Sequence, residues 1–415
     1  MKALIVGGGI GGFATALSLH QHGIECDVFE QSAEVRELGV GINILPHAIK
    51  LLADLGLLDA LDAVAVRTHE LIYKNRFGQT IWQEPRGMDA GYDFPQFSIH
   101  RGHLQGVLYR AARERIGNDR IHTGHQLVDF HDDGDEVAAV LQLRNGDKVE
   151  TGGDLLIGAD GIHSTVRRKF YPDEGPPSWN GIMLWRGAVG YDRFLTGRSM
   201  IIAGGMNAKL VLYPISERSQ TAGTNLLNWA VAAKIADGCG APPRREDWNT
   251  KGDLAELLSH VENVFHLDEV DPVAVIKSTP EFFEYPMCDR DPLPEWTFGR
   301  VTLLGDAAHP MYPVGSNGAS QAILDARHLA NMLVEHGDVR KALHAYEGER
   351  LTATAELVRL NRLGGPERVI DVVEERAPDG FSTIDDVASH EEREAIVKGY
   401  ASLAGYEKAQ VNTAV

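Results

Sequence analysis

An α/β chain is expected here, with a split Rossmann-like dinucleotide-binding domain, an inserted β-rich substrate domain and C-terminal helices. Three features of its 415 residues lead to it. The first is a strand, a glycine turn, a helix and a second strand at the N-terminus, the unit that cradles a pyrophosphate in doubly wound folds. The second is a succession of β-type segments from Gly181 to Ala233, each bounded by turn residues. The third is the return, from Gly299 to Asp325, of a short apolar strand, Gly305-Asp306, a proline-punctuated loop, the turn Gly315-Ser316-Asn317-Gly318 and a helix.

Taken in order, Lys2 to Val6 reads as a strand and Gly7-Gly8-Gly9-Ile10-Gly11-Gly12 follows at once. Phe13 to Gln21 carries apolar residues at helical spacing until Gly23 stops it. A second strand, Cys26 to Phe29, ends at Glu30, 18 residues beyond Gly12. This is the full context of the G-x-G-x-x-G fingerprint. Gly7 permits the tight turn, Gly9 lets backbone N–H groups approach a pyrophosphate at the helix amino end, and Gly12 allows close helix packing. Glu30 is placed to accept from ribose hydroxyls.

Pro46 to Leu55 is a helix after the glycine-containing loop RELGVGIN, and Leu71 to Ile81 is strand-like with a turn at Phe77-Gly78-Gln79. A polar, proline-containing segment leads to Arg101 and a helix over Leu104 to Ile116. Strands over Gln126 to Phe130 and Glu136 to Leu143 precede Asn145-Gly146, a strong hairpin signal. Asp154 to Ile157 is a buried strand running into Gly158-Ala159-Asp160-Gly161. The β-rich part predicts strands at Ile182 to Val189, Met200 to Ala203, Lys209 to Ile215 and Asn225 to Ala232, then a helix over Asp253 to Val264. Val301 to Leu304 suits a buried parallel strand, which puts Asp306 at its carboxyl end, where ligands of open sheets bind. Gly318 to Val334 and Val339 to Leu363 read as long helices, and the acidic tail beyond Gly364 is less periodic. The segments divide as 1–70, 98–178 and 284–335 for the dinucleotide-binding domain, 71–97 and 179–283 for the β-rich domain, and 336–415 for the C-terminal helices and tail.

The net charge of -19 argues against a nucleic-acid partner, since phosphate binding needs clustered Lys and Arg. Cys26, Cys239 and Cys288 are widely spaced with no C-x-x-C, so no disulfide framework, zinc site or redox dithiol is indicated, and a cytoplasmic location is expected. No apolar run approaches membrane-spanning length, and Met1 leads straight into a strand instead of a signal peptide.

Three separated signals stand in order: Gly7-x-Gly9-x-x-Gly12 with Glu30, then Asp160-Gly161 with Arg167, then Gly305-Asp306. That order resembles the single-component, class A FAD-dependent aromatic hydroxylases, over roughly residues 1–360. Stretches such as ELGVGINILPHA, ADGIHSTVR and LLGDAAHPMYPVGSNGASQAILDA resemble the N-methylphenazine-carboxylate hydroxylase and salicylate hydroxylase branches of that family. The resemblance implies FAD as cofactor, with NADH or NADPH as co-substrate. It implies hydroxylation of a small aromatic or N-heteroaromatic compound, with or without decarboxylation, through a flavin hydroperoxide.

Carried residue by residue, it implies that Gly7, Gly9, Gly12 and Glu30 hold the ADP half of FAD, and that Arg36 and Arg101 lie near the pyrophosphate or ribityl chain. Asp306 would bind a ribityl hydroxyl and the Leu127 backbone would meet adenine. Gly41 would approach the isoalloxazine ring, and Asp160 would serve both FAD and the nicotinamide coenzyme. Gly315, Asn317 and Gly318 open a helix whose N–H groups face the negative charge that reduction leaves on the flavin, as an oxyanion hole would. Asn317 departs from the commoner glycine at this turn. No acid or base residue is required by such chemistry, so no catalytic residue is named.

The substrate wall is expected from the β-rich segment, with Trp185 and Tyr213, and from the loop with Pro313 and Val314. Arg186 reads as a surface residue, with pairing to a substrate carboxylate as its functional alternative. His47, His100 and His309 read as satisfied structural histidines. The rival functions are a flavin oxidase or dehydrogenase, an alkene epoxidase, and a non-catalytic flavin-bound protein. The single dinucleotide fingerprint argues against flavin disulfide reductases and Baeyer–Villiger enzymes, the missing C-x-x-C argues independently against the former, and the missing W-x-W-x-I-P stretch sets the chain apart from flavin halogenases. A monomer or homodimer is expected.

Overall fold

The computed structural model describes residues 1–35, 39–192, 195–216, 225–238, 240–243 and 250–413. Strand β1 (Lys2–Val6), helix α1 (Ile10–Gln21) and β2 (Glu25–Glu30) form the N-terminal unit. Next come β3 (Gly41–Ile44), α2 (Pro46–Asp54), α3 (Leu58–Asp62) and β4 (Ala65–Arg67). The hairpin β5 (Glu70–Lys74) and β6 (Thr80–Pro85) leaves for the inserted sheet, and β7 (Phe97–His100) returns to pair with β3 and β4. Helix α4 (Arg101–Ile116), β8 (Ile121–Thr123), the meander β9 (His125–Asp132), β10 (Val137–Leu143) and β11 (Lys148–Gly153), then β12 (Leu155–Gly158) and α5 (Thr165–Phe170) complete this part.

The β-rich part supplies β13 (Ser178–Tyr191), β14 (Ser199–Ala203), β15 (Ala208–Ser216) and β16 (Asn225–Lys234), with short helices α6 (Leu254–Ser259) and α7 (Pro272–Lys277), then β17 (Phe282–Asp289). Strand β18 (Val301–Leu303) returns to the first sheet, followed by α8 (Gly318–His336) and α9 (Val339–Arg362). The tail folds into α10 (Arg368–Arg376), α11 (His390–Leu403) and α12 (Lys408–Val411). None of the described helices is long and apolar enough to cross a membrane.

Two sheets organise the molecule. The first is parallel throughout, in the order β18-β12-β1-β2-β8. Its strands are covered on both faces, which is why Ala3–Val6 and Leu155–Ile157 read as unbroken apolar runs. Helix α1 packs between α8 and α4 on one side. The second sheet has seven strands in the order β17-β13-β16-β15-β14-β5-β6. Because β17 pairs with β13 along its length, the β-rich sheet runs to Asp289 and does not stop at 283.

The second sheet is also buried on both faces, with different partners. One face carries Met183, Trp185, Leu210, Leu212 and Trp229 against α6 and α7. The other carries Leu71, Tyr73, Met200, Ile202, Tyr213 and Ile215 against α10 and α11. Through β15 the sheet meets the small sheet of β3, β7 and β4. The expected helix at 253–264 is only one and a half turns long, because the chain turns at His260 after Asp253 caps α6.

Candidate active site

The glycine turn after β1 builds the first wall of the cleft. Gly7 has φ +110°, a conformation that favours glycine, and a Cβ there would overlap the Ala159 carbonyl after β12. A Cβ on Gly12 would overlap Gly7 O, whereas one on Gly9 would meet nothing within 4 Å. Two of these glycines therefore let backbone close on backbone, and the third opens onto free space at the amino end of α1. That end has no side-chain cap, so its N–H groups face the cleft unclaimed. Glu30, at the end of β2, accepts from Gly8 N at 2.8 Å and Ser32 N at 2.7 Å, which fixes its carboxylate beside the turn.

The second wall is the stretch after β18. Asp306 is exposed by surface area yet lies deep among protein atoms, because its side chain opens into the cleft and not onto the outer surface. Burial raises its pKa above 3.8, and His309 and Arg101 act in the opposite direction. It takes no hydrogen bond from the described residues, so its acceptor oxygens are directed at the cleft. Arg101 opens α4 opposite, and its guanidinium feels Asp306, Arg186 and Tyr285. Helix α8 enters the same space with Asn317 as its N-cap and no side-chain cap bond.

The loop carrying Asp306 is held from behind. Asp325, fully buried on α8, accepts from Gly305 N at 3.0 Å, from His309 Nε2 at 2.6 Å and from Arg350 Nε at 2.7 Å. Arg167 binds the Ala307 and Ala308 carbonyls, at 3.2 and 2.9 Å, so the Asp160 segment supports the loop as well. Burial alone would raise the Asp325 pKa, but His309 and Arg350 hold it below its ordinary 3.8. A depressed carboxylate contributes stability in full above about pH 4, and that contribution is lost as pH falls below it. Asp325→Asn should therefore cost about 3 to 5 kcal/mol at neutral pH and flatten the fall in stability between about pH 4 and 2, measured by denaturant unfolding across pH. An unchanged acid limb would refute this.

The inserted sheet docks on the cleft through Gly41. Its N–H donates to Asn228 Oδ1 at 2.7 Å, and its carbonyl accepts from Arg186. A Cβ there would lie 2.7 Å from Asn228, Ile215 and Tyr213 alike. Gly41→Ala should cost about 1 to 3 kcal/mol by overpacking, read as a lower thermal midpoint of the apoprotein, and should weaken flavin binding. A variant with wild-type stability would show the close approach to be unnecessary.

The sequence expectations separate as follows. Glu30 stands beside the glycine turn of Gly7, Gly9 and Gly12, Asp306 lies within the influence of Arg101 and next to Gly318, and Gly315 lines the cavity described below. Leu127 lies in β9, whose first residue His125 approaches Phe29 of β2, on the Glu30 side. Arg36 lies outside the described residues. Asp160 has both oxygens engaged by the amino end of α5, through Ser164 Oγ at 2.5 Å and Thr165 N at 2.7 Å, so its carboxylate shapes the loop. The Asn317 side chain turns away from the cleft to Gly315 O at 3.2 Å and the Tyr400 hydroxyl at 3.0 Å, leaving its backbone to the helix opening.

Among the wall residues, Tyr213 faces the cleft side and is pushed up to about 12 by burial, so it keeps its proton. Trp185 does not share that wall. It points to the opposite face, where its Nε1 donates to Glu284 at 3.0 Å and its ring stacks on His260, since residues two apart from Met183 to Val189 all turn toward α6 and α7. Arg186 is buried, not on the surface, and donates to Gly41 O and the Tyr285 hydroxyl. Val314 packs with Tyr285, Met287 and Tyr312, while Pro313 is exposed. His47 is buried with neither ring nitrogen hydrogen-bonded, and burial first, then Arg350, lowers its pKa to about 3.

Sequence reasoning missed a small cavity of about 20 Å³ beside this cleft. Its walls include Leu71, Met200 and Ile202 of the inner sheet face, the Gly315-Ser316 turn, Glu367 just before α10 and Tyr406 between α11 and α12. Glu367 accepts from Gly315 N at 3.2 Å and pairs with Lys209. The tail is thus the roof of the site. Ser316 takes a left-handed φ of +59°, an unusual conformation for serine that this clamp maintains.

A parallel sheet with a glycine-cradled helix end, an acid at the end of its second strand and a second uncapped helix aimed at the same cleft defines a dinucleotide-cofactor protein of the flavin-binding type. Residues 1–180 and 238–361 match the FAD binding domain family, and the chain belongs to it. The chain is 44% identical over 363 residues to phenazine 1,6-dicarboxylic acid hydroxylase PhzS of Lysobacter antibioticus, covering 86% of this chain and 88% of that protein. It is 30% identical over 368 residues to 3-hydroxybenzoate 6-hydroxylase 1 of Aquipseudomonas alcaligenes, covering 86% and 87%. The fold is similar to that of Klebsiella pneumoniae HpxO complexed with FAD and uric acid, at a TM-score of 0.73 and 24% identity over 97% of this chain and 96% of that one. The chain is an FAD-dependent monooxygenase of the aromatic hydroxylase class, with NADH or NADPH as co-substrate. The oxidase, epoxidase and binding-protein readings have no such support.

Proposed function

We propose that this enzyme hydroxylates a small aromatic or N-heteroaromatic carboxylate. The observation that carries the reading is the cavity between Leu71, Met200 and Ile202 of the sheet and the Gly315-Ser316 turn at the opening of α8, with Arg86 in its lining. A planar ring held there would lie beside the turn that faces the cofactor's reactive end. The relatives are named for a phenazine dicarboxylic acid and a hydroxybenzoate, both aromatic carboxylates, which supports this substrate class.

FAD would be held by Gly7, Gly9, Gly12 and Glu30 at its ADP end, by Arg36, Arg101 and Asp306 along its middle, and by Gly41 and the turn through Gly318 at its ring. Leu127 and Asp160 would flank the adenine side and the coenzyme approach. Bound there, FAD supplies the redox and oxygen chemistry. The chain's own work is to orient the ring, present the N–H groups of α8 to negative charge and keep water out. Tyr213, Pro313 and Val314 belong to the wall facing that ring, and Trp185 supports the sheet from behind.

The cavity in its present form has room for about one water, so a substrate ring enters by displacing the C-terminal roof. We place the domain boundaries near residues 70, 97, 178 and 335, with the β-rich unit extended to Asp289, and the enzyme in the cytoplasm as a monomer or homodimer. The test mixes purified yellow protein with NADH or NADPH and a panel of aromatic carboxylates. Aromatic-stimulated coenzyme oxidation with hydroxylated product supports the reading, and product mass separates simple from decarboxylative hydroxylation. Flavin that neither coenzyme reduces with any member of the panel would sink it.

A further inference from the structure

The geometry points to Arg86 as the residue that recognises the substrate's carboxylate, at the outer end of the cavity beside the Gly315-Ser316 turn. The inference rests on the function proposed above and adds to it a named specificity determinant.

Arg86 follows directly on β6, and among the described residues lining the cavity it is the only cation. The other basic groups nearby are committed elsewhere. Lys209 is paired with Glu367, Arg186 is clamped between Gly41 O and Tyr285, and Arg101 faces Asp306. Arg86 is partly satisfied. Its Nη2 meets Glu84 Oε1 at 2.6 Å, and the second Glu84 oxygen is taken by Trp82 Nε1 at 3.2 Å. The Nε–H is buried without a hydrogen-bond partner, and the side chain is 11% exposed. A guanidinium carries five N–H donors in a planar fork; Glu84, Tyr73 and Tyr406 meet it elsewhere, and the Nε–H is left to a ligand.

The surroundings suit an anion. The Tyr73 hydroxyl lies 3.5 Å from Arg86 Nη2, and Tyr406 sits within the influence of the same charge. Burial raises the pKa of both phenols, that of Tyr406 to about 12, so both remain O–H donors at neutral pH. On the sheet side Arg86 and Tyr73 thus stand at one end of a slot whose other end is the Gly315-Ser316 turn, and Tyr406 of the roof covers them until substrate displaces it. With the roof displaced, an aromatic carboxylate would match that polarity end for end, and an uncharged ring would leave the Nε–H unsatisfied. Glu84 is the counter-charge that keeps Arg86 tolerable in the absence of substrate.

The test compares 3-hydroxybenzoate with 3-hydroxybenzamide, and phenazine-1-carboxylate with its amide, by flavin-absorbance titration and by kcat/KM for hydroxylated product. In the native holoenzyme the carboxylates should bind at least about tenfold more tightly than the amides. Arg86→Gln should cut the carboxylate-to-amide ratio by about 10- to 100-fold. Arg86→Lys should restore only part of it, since an ammonium lacks the planar fork. Glu84→Gln, which removes the internal counter-charge, should move the ratio the other way by several-fold, a direction that a merely structural lesion would not produce. A ratio unchanged in Arg86→Gln, or lowered in Glu84→Gln, would overturn the assignment while leaving the aromatic hydroxylase reading intact. A native enzyme that turns over none of the four probes overturns this assignment and, if it also fails with the wider aromatic panel, the function proposed above.

Discussion

Asp306→Ala should yield soluble, folded protein that has lost its yellow colour. Asp306 takes no hydrogen bond from the described residues, so its removal breaks nothing inside the protein, and the cofactor alone should feel the change. A hydrogen bond to a charged group is worth about 1.5 to 3 kcal/mol, which corresponds to an FAD affinity weaker by roughly 10- to 150-fold in a fluorescence titration. The apoprotein's thermal midpoint should hold or rise, because an acid whose pKa burial raises is an ionised group in a place that disfavours its charge. Full retention of FAD at submicromolar protein would show that Asp306 is not a flavin ligand.

The second large effect separates two neighbouring glycines. Gly12→Ala drives a methyl group into the Gly7 carbonyl, and neither partner is free to retreat, since one lies on α1 and the other follows directly on β1 and is bonded to Phe29 O. Overpacking of this kind costs about 1 to 3 kcal/mol and more where backbone opposes it, so the apoprotein itself should be destabilised. Gly9→Ala adds the same methyl group where nothing lies within 4 Å. That variant should keep the native thermal midpoint without FAD and lose affinity with it. Thermal unfolding with and without added FAD reads both changes at once. Equal midpoints for the two apoproteins would contradict the division of labour between these glycines.

What the sequence makes legible is local. Gly7 and Gly12 announce a backbone approach that only glycine permits, and Gly305-Asp306 after an apolar strand places an acid at a sheet's carboxyl end. Helix limits at Gly318 and Val339 were readable because a glycine turn and Asp338 stand at the starts. The faces of β13 were not readable. Period-two alternation distinguishes two faces, but both are buried, so nothing in the pattern says which one meets the cofactor. Trp185 therefore went to the far side, and Arg186, which reads as a surface residue, proved to be the buried clasp on Gly41.

The roof was hidden for another reason. Short helices interrupted by turns weaken any helical period beyond Gly364, and the contacts that give the tail its place, such as Tyr400 with Asn317, join residues far apart in the chain. Arg86 was within reach: alternation from Trp82 through Glu84 puts it on their side of the strand, where the three are in fact joined.

One bond network reaches further than its size suggests. Asn317 opens α8, and its side chain answers to the Tyr400 hydroxyl, which in turn donates to Asn361 at 2.7 Å, while Gln321 one turn along α8 donates to Ala404 O. The turn that opens α8 is thereby fastened to α11 and the residue that follows it. For anyone handling the enzyme, the two ends are not equivalent places to cut or attach: a purification tag or shortened terminus that disturbs α11 reaches the coenzyme pocket through four side chains. Colour retained through purification then serves as a gauge of whether the chain's end is correctly seated.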